Sequence, residues 1–255
     1  PVFDRLGIQW DRGEYLHKNG AEFIDEGSGE QVRFCLNGQY QAYQVERARF
    51  DRMLADNAVH HGAVLQQQES VTAVEFDADG VQVCTDRGPY RTRYFIDATG
   101  RSRFMGKKLA GIERIRNLGR FALYTHYRHV NTAAARDLYS SGDIRILMVD
   151  IGWLWIIPLI DNRLSVGLVV QQPVDPSRRG AALFEKYRAA SGILTALLAG
   201  AEQETPVQAE ADFSYTNTRR HGARYACCGD AAGFLDPIFS SGVFLAVTGA
   251  ERVAD

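Results

Sequence analysis

The chain has 255 residues, of which 45% are hydrophobic and 24% charged, and its net charge is −2. This size supports a real core, in one large domain or two interleaved ones, and the small net charge gives no reason to expect a nucleic-acid partner. No apolar run reaches the roughly 18 residues of a transmembrane helix, so we expect no stable membrane insertion. The four cysteines lack both metal-site spacing and a disulfide framework, which favours a cytoplasmic setting and predicts no metal site.

The first half of the chain predicts short strands around one helix. Residues 1–20 are expected to form loop and short helix. Alternating apolar and polar residues then indicate strands, and apolar positions near helical spacing indicate a helix that stops at Gly62. The predicted elements are strands at 20–27 and 31–38, the helix within 45–63, and a meander of strands at 71–77, 80–86 and 90–100.

The second half predicts a longer series of strands followed by helices. "DN" at 161–162 is a hairpin signal between two of them. The predicted elements are strands at 121–130, 144–150, 152–160 and 163–171, a helix at 181–200, strands at 209–220 and 225–233, and a helix at 241–255. The segments 94–100 and 225–233 share one form, a short apolar strand ending in a small-residue turn, which is typical of a nucleotide-binding sheet edge.

The stretch "GDAAGFLDPIFSSG" at 229–242 is rich in exposed backbone. Gly229, Ala231 and Gly233 would let a ligand approach main-chain N–H groups, and Asp230 could accept hydrogen bonds from sugar-like hydroxyls. A helix following Pro237 would present unpaired N–H groups and a partial positive charge. The alternative is an ordinary tight turn in which an aspartate caps a helix.

This stretch resembles the second FAD-binding motif of flavin monooxygenases of the p-hydroxybenzoate hydroxylase type. The resemblance implies that Asp230 binds the ribityl chain and that the helix after Pro237 points at the flavin ring. "YFIDATGRSR" resembles a second element of that family and implies that Asp97 and Gly100 lie at the cofactor. "VERARFDRML" resembles its Arg-x-x-Phe-Asp helix and implies that Arg47 does so too. A solvated helix charge is the alternative for Arg47.

The segment "GWLWIIPL" would send Trp153, Trp155 and Ile157 to one face of a strand and its leucine and isoleucine neighbours to the other. Two tryptophans on one face commonly fill a core. The segment nevertheless matches Trp-x-Trp-x-Ile-Pro, a motif that resembles the signature of flavin-dependent halogenases. On that resemblance Trp153, Trp155 and Pro158 form an active-site wall.

"KNGAEF" at 18–23 resembles the halogenase pattern Lys-x-Gly-Ala-x-Phe, which implies that Lys18 is the catalytic residue. An amine can hydrogen-bond hypohalous acid or form a haloamine, and an ammonium group can polarise the halogen donor. Either role needs a lysine whose pKa is tuned by its surroundings. The alternative for a lone lysine before a strand is the surface.

"DPIFSSG" at 236–242 resembles phenol- and pyrrole-directed halogenases, whereas tryptophan halogenases carry a glutamate where this chain has Phe239. Phe239 is therefore expected to belong to the active-site wall, unless it simply packs. Backbone N–H groups around Ser241 and Gly242, at the helix start, are expected to hold chloride or bromide.

Together these features predict an α/β (α+β) fold of the p-hydroxybenzoate hydroxylase type, with a Rossmann-type sheet, a β-meander and an interleaved large antiparallel substrate sheet. No Gly-x-Gly-x-x-Gly lies near the start, so the first Rossmann element is expected to be missing and the chain to be an internal fragment. The expected domains are an FAD-binding part of residues 45–112 and 223–255 and a substrate part of residues 1–44 and 113–222.

The resemblance implies that FAD, reduced by a separate flavin reductase, reacts with oxygen through a flavin hydroperoxide to give hypohalous acid, which Lys18 directs to an electron-rich aromatic ring. That phenol or pyrrole is expected to be either free or carrier-protein-bound. Two alternatives stay open on the same fold. One is a flavin hydroxylase or a geranylgeranyl-reductase-like oxidoreductase, and the other is an inactive truncated fragment. Fold alone does not choose among them.

Overall fold

The computed structural model describes residues 2–8, 12–36, 41–116, 121–171, 180–211 and 214–255, without the side chains of Arg12 and Phe239. The helices are α1 (Val2–Arg5), α2 (Arg47–His60), α3 (Phe104–Lys108), α4 (Arg136–Ser141), α5 (Ala181–Ala190), α6 (Gly192–Leu197) and α7 (Gly242–Ala254). The strands are β1 (Leu16–Lys18), β2 (Gly20–Ile24), β3 (Gln31–Cys35), β4 (Ala42–Gln44), β5 (Val71–Phe76), β6 (Val81–Thr85), β7 (Pro89–Thr92), β8 (Phe95–Asp97), β9 (Ile112–Arg114), β10 (Phe121–Arg128), β11 (Ile144–Val149), β12 (Gly152–Leu159), β13 (Arg163–Val170), β14 (Glu202–Gln203), β15 (Gln208–Ala211), β16 (Tyr215–Asn217), β17 (His221–Gly222), β18 (Tyr225–Cys227) and β19 (Gly233–Phe234).

Contacts between α-carbons divide the chain into two compact units. We call residues 1–8, 53–118 and 213–255 the meander unit, and residues 9–52 and 119–212 the sheet unit. The sequence-based domains differ from these units mainly in three segments. Residues 1–8 and 213–222 were assigned to the substrate part but belong to the meander unit, and residues 45–52 were assigned to the FAD-binding part but belong to the sheet unit. Each unit is described by itself below.

The sheet unit is built on one large mixed sheet. Its strands run in the order β14-β10-β13-β12-β11-β2-β3, and β15 also pairs with β10. Neighbours are antiparallel except for β2 and β11, which are parallel. The sheet is therefore largely the antiparallel one that the sequence predicts, with one parallel junction joining it to the β2–β3 hairpin.

One face of this sheet carries the main hydrophobic core. Leu123, Leu154 and Ile156 project from β10 and β12 into a cluster that Phe184 of α5 and Leu194 of α6 complete. Leu154 and Ile156 are fully buried, as the alternation of β12 predicts. Burial of a leucine or isoleucine side chain contributes about 1.5–3 kcal/mol, so this cluster anchors the sheet that positions the opposite face.

Turn chemistry sets the register of the central hairpin. Asp161 and Asn162 have φ of +59° and +55°, a left-handed backbone that lets the three-residue connection 160–162 reverse the chain. β12 and β13 then pair from Leu159↔Arg163 to Gly152↔Val170. The predicted hairpin is confirmed.

The predicted helix 181–200 is two helices. Ser191 lies in extended conformation between α5 and α6, and its hydroxyl accepts a hydrogen bond from the Leu194 amide at 3.1 Å. A serine at this position caps the second helix, so the chain turns where a continuous helix was expected.

Small sheets make up the meander unit. β5, β6 and β7 form the predicted meander, β8 lies beside β18 and β17, and β16 joins β9 to β19. The single strand predicted at 90–100 was wrong in its extent, because β7 stays on β6 whereas β8 pairs in parallel with β18.

Two other predictions fail for the same kind of reason. The strand predicted at 209–220 divides into β15, which pairs with β10, and β16, which pairs with β9, while residues 212 and 213 lie outside the described part. Residues 1–20 contain a strand that was not expected, β1, which pairs with β4. Partners distant in sequence decide both outcomes. Within the described residues, we find no helix whose length and hydropathy would suit a membrane span.

Candidate active site

Two strand ends meet in the meander unit, as the shared form of 94–100 and 225–233 predicts. β8 and β18 are parallel, with Asp97 opposite Cys227, so the turns that follow them leave the sheet at the same edge. The Cys228 amide donates to the Asp97 carbonyl at 2.9 Å and ties the turns together. The carboxyl edge of parallel strands is where ligands bind in open α/β sheets.

The Asp97 carboxylate faces the interior of the protein. It is fully buried, and it accepts hydrogen bonds from the Thr99 amide at 3.0 Å, the Thr99 hydroxyl at 2.6 Å and the Met105 amide at 2.7 Å. These bonds hold the turn that contains Gly100 and the start of α3. Asp97 therefore holds this turn, and its predicted contact with cofactor stays a prediction.

Two glycines open the backbone beside this carboxylate. Gly100 has φ of +58° and no atom lies within 4 Å of the position that a β-carbon would take, so the backbone there faces open space. Gly229 has φ of +56°, and an added β-carbon would lie 3.2 Å from the β-carbon of Ala246 in α7. Both turns need glycine, and the one at Gly100 leaves main chain accessible.

Asp230 lies in a short 3₁₀ turn, Gly229–Ala231, that neighbouring side chains hold from behind. The Tyr215 hydroxyl donates to the Asp230 carbonyl at 2.6 Å, and burial raises the pKa of Tyr215 to about 12, so this donor keeps its proton. Asn217 donates to the carbonyl of the fully buried Ala231 at 3.1 Å. The turn is therefore fixed from the inside, and the half-buried Asp230 occupies its middle.

The segment leading into α7 forms a tight turn directly before the helix. Asp236 accepts from the Ile238 amide at 3.0 Å, with Pro237 opening a 3₁₀ turn that ends at Ser240, whose φ is +53°. Ser241 then begins α7, and its hydroxyl makes no capping bond within the described residues. The first N–H groups of α7 have no acceptor inside the helix. The side chain of Phe239 lies outside the described part, so its predicted place in the wall stays a prediction.

Lys18 ends β1 in the sheet unit, opposite Ala42 of β4. Its side chain is half-buried, and no hydrogen bond or ion pair reaches its amine from the described residues. Burial lowers the pKa of Lys18, and the negative charge of Asp143 offsets part of that effect. A lysine held this way is the kind of amine that general-base or covalent chemistry uses.

Trp153 and Trp155 lie on the sheet face opposite the main core. Their ring centroids are 6.1 Å apart, and the Tyr124 ring of β10 lies 6.0 Å from that of Trp155. The indole of Trp155 donates to the Ser165 hydroxyl at 3.1 Å. Trp153 is 1% exposed, and its indole nitrogen has no acceptor among the described residues. The prediction that the two tryptophans lie on one face of β12, and Leu154 and Ile156 on the other, is confirmed.

Pro158 continues the same strand where a proline is tolerated. The β11 ladder along β12 ends at the pair Arg145↔Ile156, so Pro158 lies beyond it and pairs only with Leu164 of β13. A proline at the end of a ladder removes no pairing N–H from it.

Arg47 forms a surface ion pair in the structure. At the first position of α2, its guanidinium donates to both carboxylate oxygens of Asp51 at 2.9 Å, and its side chain is 64% exposed. Such a pair contributes little stability. Its predicted contact with cofactor stays a prediction.

The predicted residues thus fall into two groups. The meander unit contains those from Asp97 to Gly100 and from Gly229 to Gly242, and the sheet unit contains Lys18, Arg47 and the Trp-x-Trp-x-Ile-Pro strand. Sequence reasoning missed Asp143, Asn217, Tyr215 and Gly167. A glycine inside a strand signals close approach by a neighbour, so Gly167 was discoverable, whereas nothing in the sequence singled out Asp143.

Comparison with known proteins places this chain beside halogenases. The profile of the family described as tryptophan halogenase matches residues 25–255. The tryptophan 2-halogenase of Chondromyces crocatus is 26% identical over 100% of this chain and 51% of its own length. The 1H-pyrrole-2-carbonyl-(peptidyl-carrier protein) chlorinase of Pseudomonas fluorescens is 30% identical over 82% of this chain and 49% of its own. The chain thus spans about half the length of these curated relatives.

A solved structure extends the agreement to the fold. The myxobacterial chondrochloren halogenase, described as a variant of FAD-dependent halogenases, superposes with a TM-score of 0.84 at 30% identity, covering 99% of this chain and 62% of that one. The superposition confirms the predicted α/β class and FAD-binding fold. Since the family profile spans most of the chain and a solved halogenase shares its fold throughout, the chain belongs to the tryptophan halogenase family of flavin-dependent enzymes.

Proposed function

We propose that the protein to which this chain belongs chlorinates or brominates an electron-rich aromatic ring, using FAD, oxygen and halide, with Lys18 as the catalytic residue. The observation that carries this proposal is the half-buried amine of Lys18, which no described residue pairs, in a chain of this family. We propose further that the meander unit holds the flavin and the sheet unit the substrate, and that the protein is cytoplasmic.

The meander unit fits an FAD molecule. Gly100 offers open backbone, Asp230 offers a carboxylate for ribityl hydroxyls, and the start of α7 offers N–H groups with a partial positive charge. We therefore propose cofactor contacts at Gly100, Gly229, Asp230, Ala231, Gly233 and Pro237, with Asp97 holding the turn, and halide contacts at the Ser241 and Gly242 amides. When bound, and reduced by a separate flavin reductase, FAD would activate oxygen, and oxygen would supply the oxidising equivalents for halide.

Lys18 would direct the oxidised halogen to the ring. Its free amine can be halogenated or accept a proton, and its ammonium form can donate a hydrogen bond to the halogen donor. Burial lowers the pKa of Lys18 and so favours the free amine more than at an exposed lysine. Trp153, Trp155 and Pro158 would form a wall that keeps water from competing with the ring.

For the substrate we propose a phenol or pyrrole, free or tethered to a carrier protein. The support is Phe239 in place of an acidic side chain and the similarity to a chlorinase of a carrier-bound pyrrole. An electron-rich phenolate or pyrrole needs less electrostatic help than an indole. The similarity to a tryptophan 2-halogenase keeps free tryptophan as the comparison substrate.

The test supplies the full-length gene product with FAD, a flavin reductase, oxygen, and chloride or bromide. Simple phenols, free pyrroles, a carrier-bound pyrrole and free tryptophan are offered in parallel, and products are read by mass spectrometry. We expect halogen in a phenol or pyrrole, loss of product in Lys18→Ala, and full activity in the exposed-lysine control Lys107→Ala.

Other outcomes would choose another class. Hydroxylated product without halogen would assign a flavin hydroxylase, and reduction of an alkene probe would assign a reductase. Halogenation at full rate in Lys18→Ala would remove Lys18 from the chemistry while leaving the class intact. Absence of FAD binding and of every product would indicate an inactive copy.

A further inference from the structure

Two side chains near Lys18 hold the backbone of the segment Ser141–Asp143. The Asn19 side chain donates to the Ser141 carbonyl at 2.6 Å, and the Gln44 side chain donates to the Gly142 carbonyl at 3.0 Å. Asn19 follows Lys18 in the chain, and Gln44 lies on β4, the strand that pairs with β1. The segment after α4 therefore keeps a fixed place beside the lysine.

Gly142 makes this close approach possible. It ends α4 with φ of +64°, and a β-carbon there would overlap the carbonyl oxygen of His17, the residue before Lys18. Only glycine satisfies both the left-handed backbone and the space available. The next residue along the chain is Asp143, so the contact between Gly142 and His17 fixes where that carboxylate begins.

The Asp143 carboxylate is buried and only half used. The residue is 3% exposed, and its Oδ2 accepts from the Arg33 guanidinium at 2.6 Å. Its Oδ1 is buried and has no hydrogen-bond donor among the described residues. The Arg33 side chain is 47% exposed, so water screens much of its positive charge. The negative charge of this buried carboxylate is therefore only partly neutralised, and it can act on the nearby Lys18 amine.

We propose that Asp143 is a positioning residue for Lys18, acting through its charge to favour the ammonium form of the amine; the inference rests on Lys18 being the catalytic residue. Without this carboxylate, the effect of burial on the amine would be unopposed, and the hydrogen-bond-donating ammonium form would be less favoured. The positive charge of Arg33 offsets part of the electrostatic effect of Asp143 on the Lys18 amine.

Other charged or titratable groups near β1 have different partners. On β1 itself, the His17 ring packs edge-on against Tyr43 of β4 with centroids 5.3 Å apart. On β2, Glu22 is paired with Arg145 at 2.7 Å. Among the described residues, Asp143 is the charged group that acts on the Lys18 amine, and it raises the pKa that burial lowers.

The test follows the Lys18 amine directly by NMR, in full-length protein labelled with ¹³C-lysine. The Lys18 Cε signal is assigned by its disappearance in Lys18→Ala, and its shift is recorded against pH. In Asp143→Asn we expect the Lys18 pKa to fall by roughly 0.5–1 pH unit, because an opposite charge nearby favours the ammonium form. The matched control Glu22→Gln, which also removes a carboxylate paired with arginine, should leave the pKa unchanged.

Arg33→Gln is an independent test, in which the pKa of Lys18 should change in the opposite direction. It leaves Asp143 in place without its counter-charge, so the pKa of Lys18 should rise, and it alters only an exposed side chain if Asp143→Asn fails to fold. An unchanged or raised Lys18 pKa in Asp143→Asn, or a lowered one in Arg33→Gln, would overturn the proposal.

Titration separates this inference from the proposed function, because it needs no turnover. If the Lys18 pKa shifts as expected but the protein does not halogenate, the electrostatic coupling holds and the proposed halogenase function is wrong. If the protein halogenates but Asp143→Asn does not change its pH profile, the proposed function holds and the role of Asp143 is wrong. A purely structural role of Asp143 would lower the amount of active enzyme at every pH without moving that profile.

Discussion

The indole of Trp155 lies across Gly167, its partner on the neighbouring strand β13. A β-carbon at Gly167 would overlap carbons of the indole ring. Tyr124 is opposite Gly167 on the other side, in β10, so the glycine lies between two aromatic residues whose rings are 6.0 Å apart. A glycine costs stability inside a strand, and here it makes the room in which the second tryptophan of the motif lies flat on the sheet.

Gly167→Ala should destabilise the protein by about 1–3 kcal/mol, because the added methyl group forces the Trp155 ring out of place. The free energy of unfolding from urea titration, with tryptophan fluorescence, measures the effect. Gly192→Ala is the matched control. At the start of α6 its added methyl would meet only a Glu26 oxygen at 3.6 Å, so it should be neutral or stabilising.

A double-mutant cycle tests the cause. If the ring overlap is responsible, Gly167→Ala should cost much less in a Trp155→Ala background than alone. Equal costs in both backgrounds would place the strain elsewhere in the strand.

Asp97→Asn should destabilise the meander unit by about 1–3 kcal/mol, because an amide group cannot accept all the hydrogen bonds that the buried carboxylate receives from Thr99 and Met105. Thermal and urea unfolding measure this change. Asp25→Asn offers a control, since Asp25 accepts from the Gly27 amide at 2.8 Å but is exposed. A similar cost in both variants would contradict the importance that we assign to burial at Asp97.

Three of the four cysteines should fall into two reactivity classes. All are free thiols, with Cys35 exposed and Cys227 and Cys228 buried. Burial raises the pKa of Cys227 to about 11, so almost none of it is thiolate at pH 8. Iodoacetamide labelling followed by peptide mass spectrometry should show rapid modification of Cys35 and none of the buried pair until denaturant is added. Labelling of Cys227 at the rate of Cys35 in native protein would show that the strand end beside Asp97 is open.

Replacing Lys18 by methionine should stabilise the fold at neutral pH. Burial lowers the pKa of Lys18 from its ordinary value of 10.5, so the folded state disfavours the ammonium form. That cost is present in full below the folded pKa and vanishes as the pH rises to the unfolded value. The gain in unfolding free energy of Lys18→Met should therefore shrink between neutral pH and about pH 10.

Urea titrations across this pH range measure the trend, and the exposed Lys107→Met serves as the control with little change at any pH. A gain that grew with pH would reverse the sign of the pKa shift. The family resemblance implies that Lys18 is catalytic. A gain in stability on its removal would therefore be an example of a trade-off between activity and stability.

Local pattern predicted most elements because each depends on near neighbours. The hairpin at Asp161 and Asn162 follows from two residues that tolerate left-handed backbone, and the faces of β12 follow from strict alternation. The end of α5 was missed, because Ser191 looks like an ordinary helix residue until its hydroxyl is seen to cap α6. The extent of single strands at 90–100 and 209–220 was missed because their two halves pair with different sheets.

The sequence by itself determined the family resemblance and the residues that we propose for the chemistry: Lys18, the Trp-x-Trp-x-Ile-Pro strand, and the small-residue turns around Gly100 and Asp230. Only the tertiary structure decided how those residues are held. It turned Asp97 inward, brought Asp143 to Lys18 from 125 positions along the chain, and placed Trp155 across Gly167. The physical reason is that side-chain identity and backbone propensity are local, whereas burial, hydrogen-bond partners and the electric field at an amine are set by segments that folding brings together.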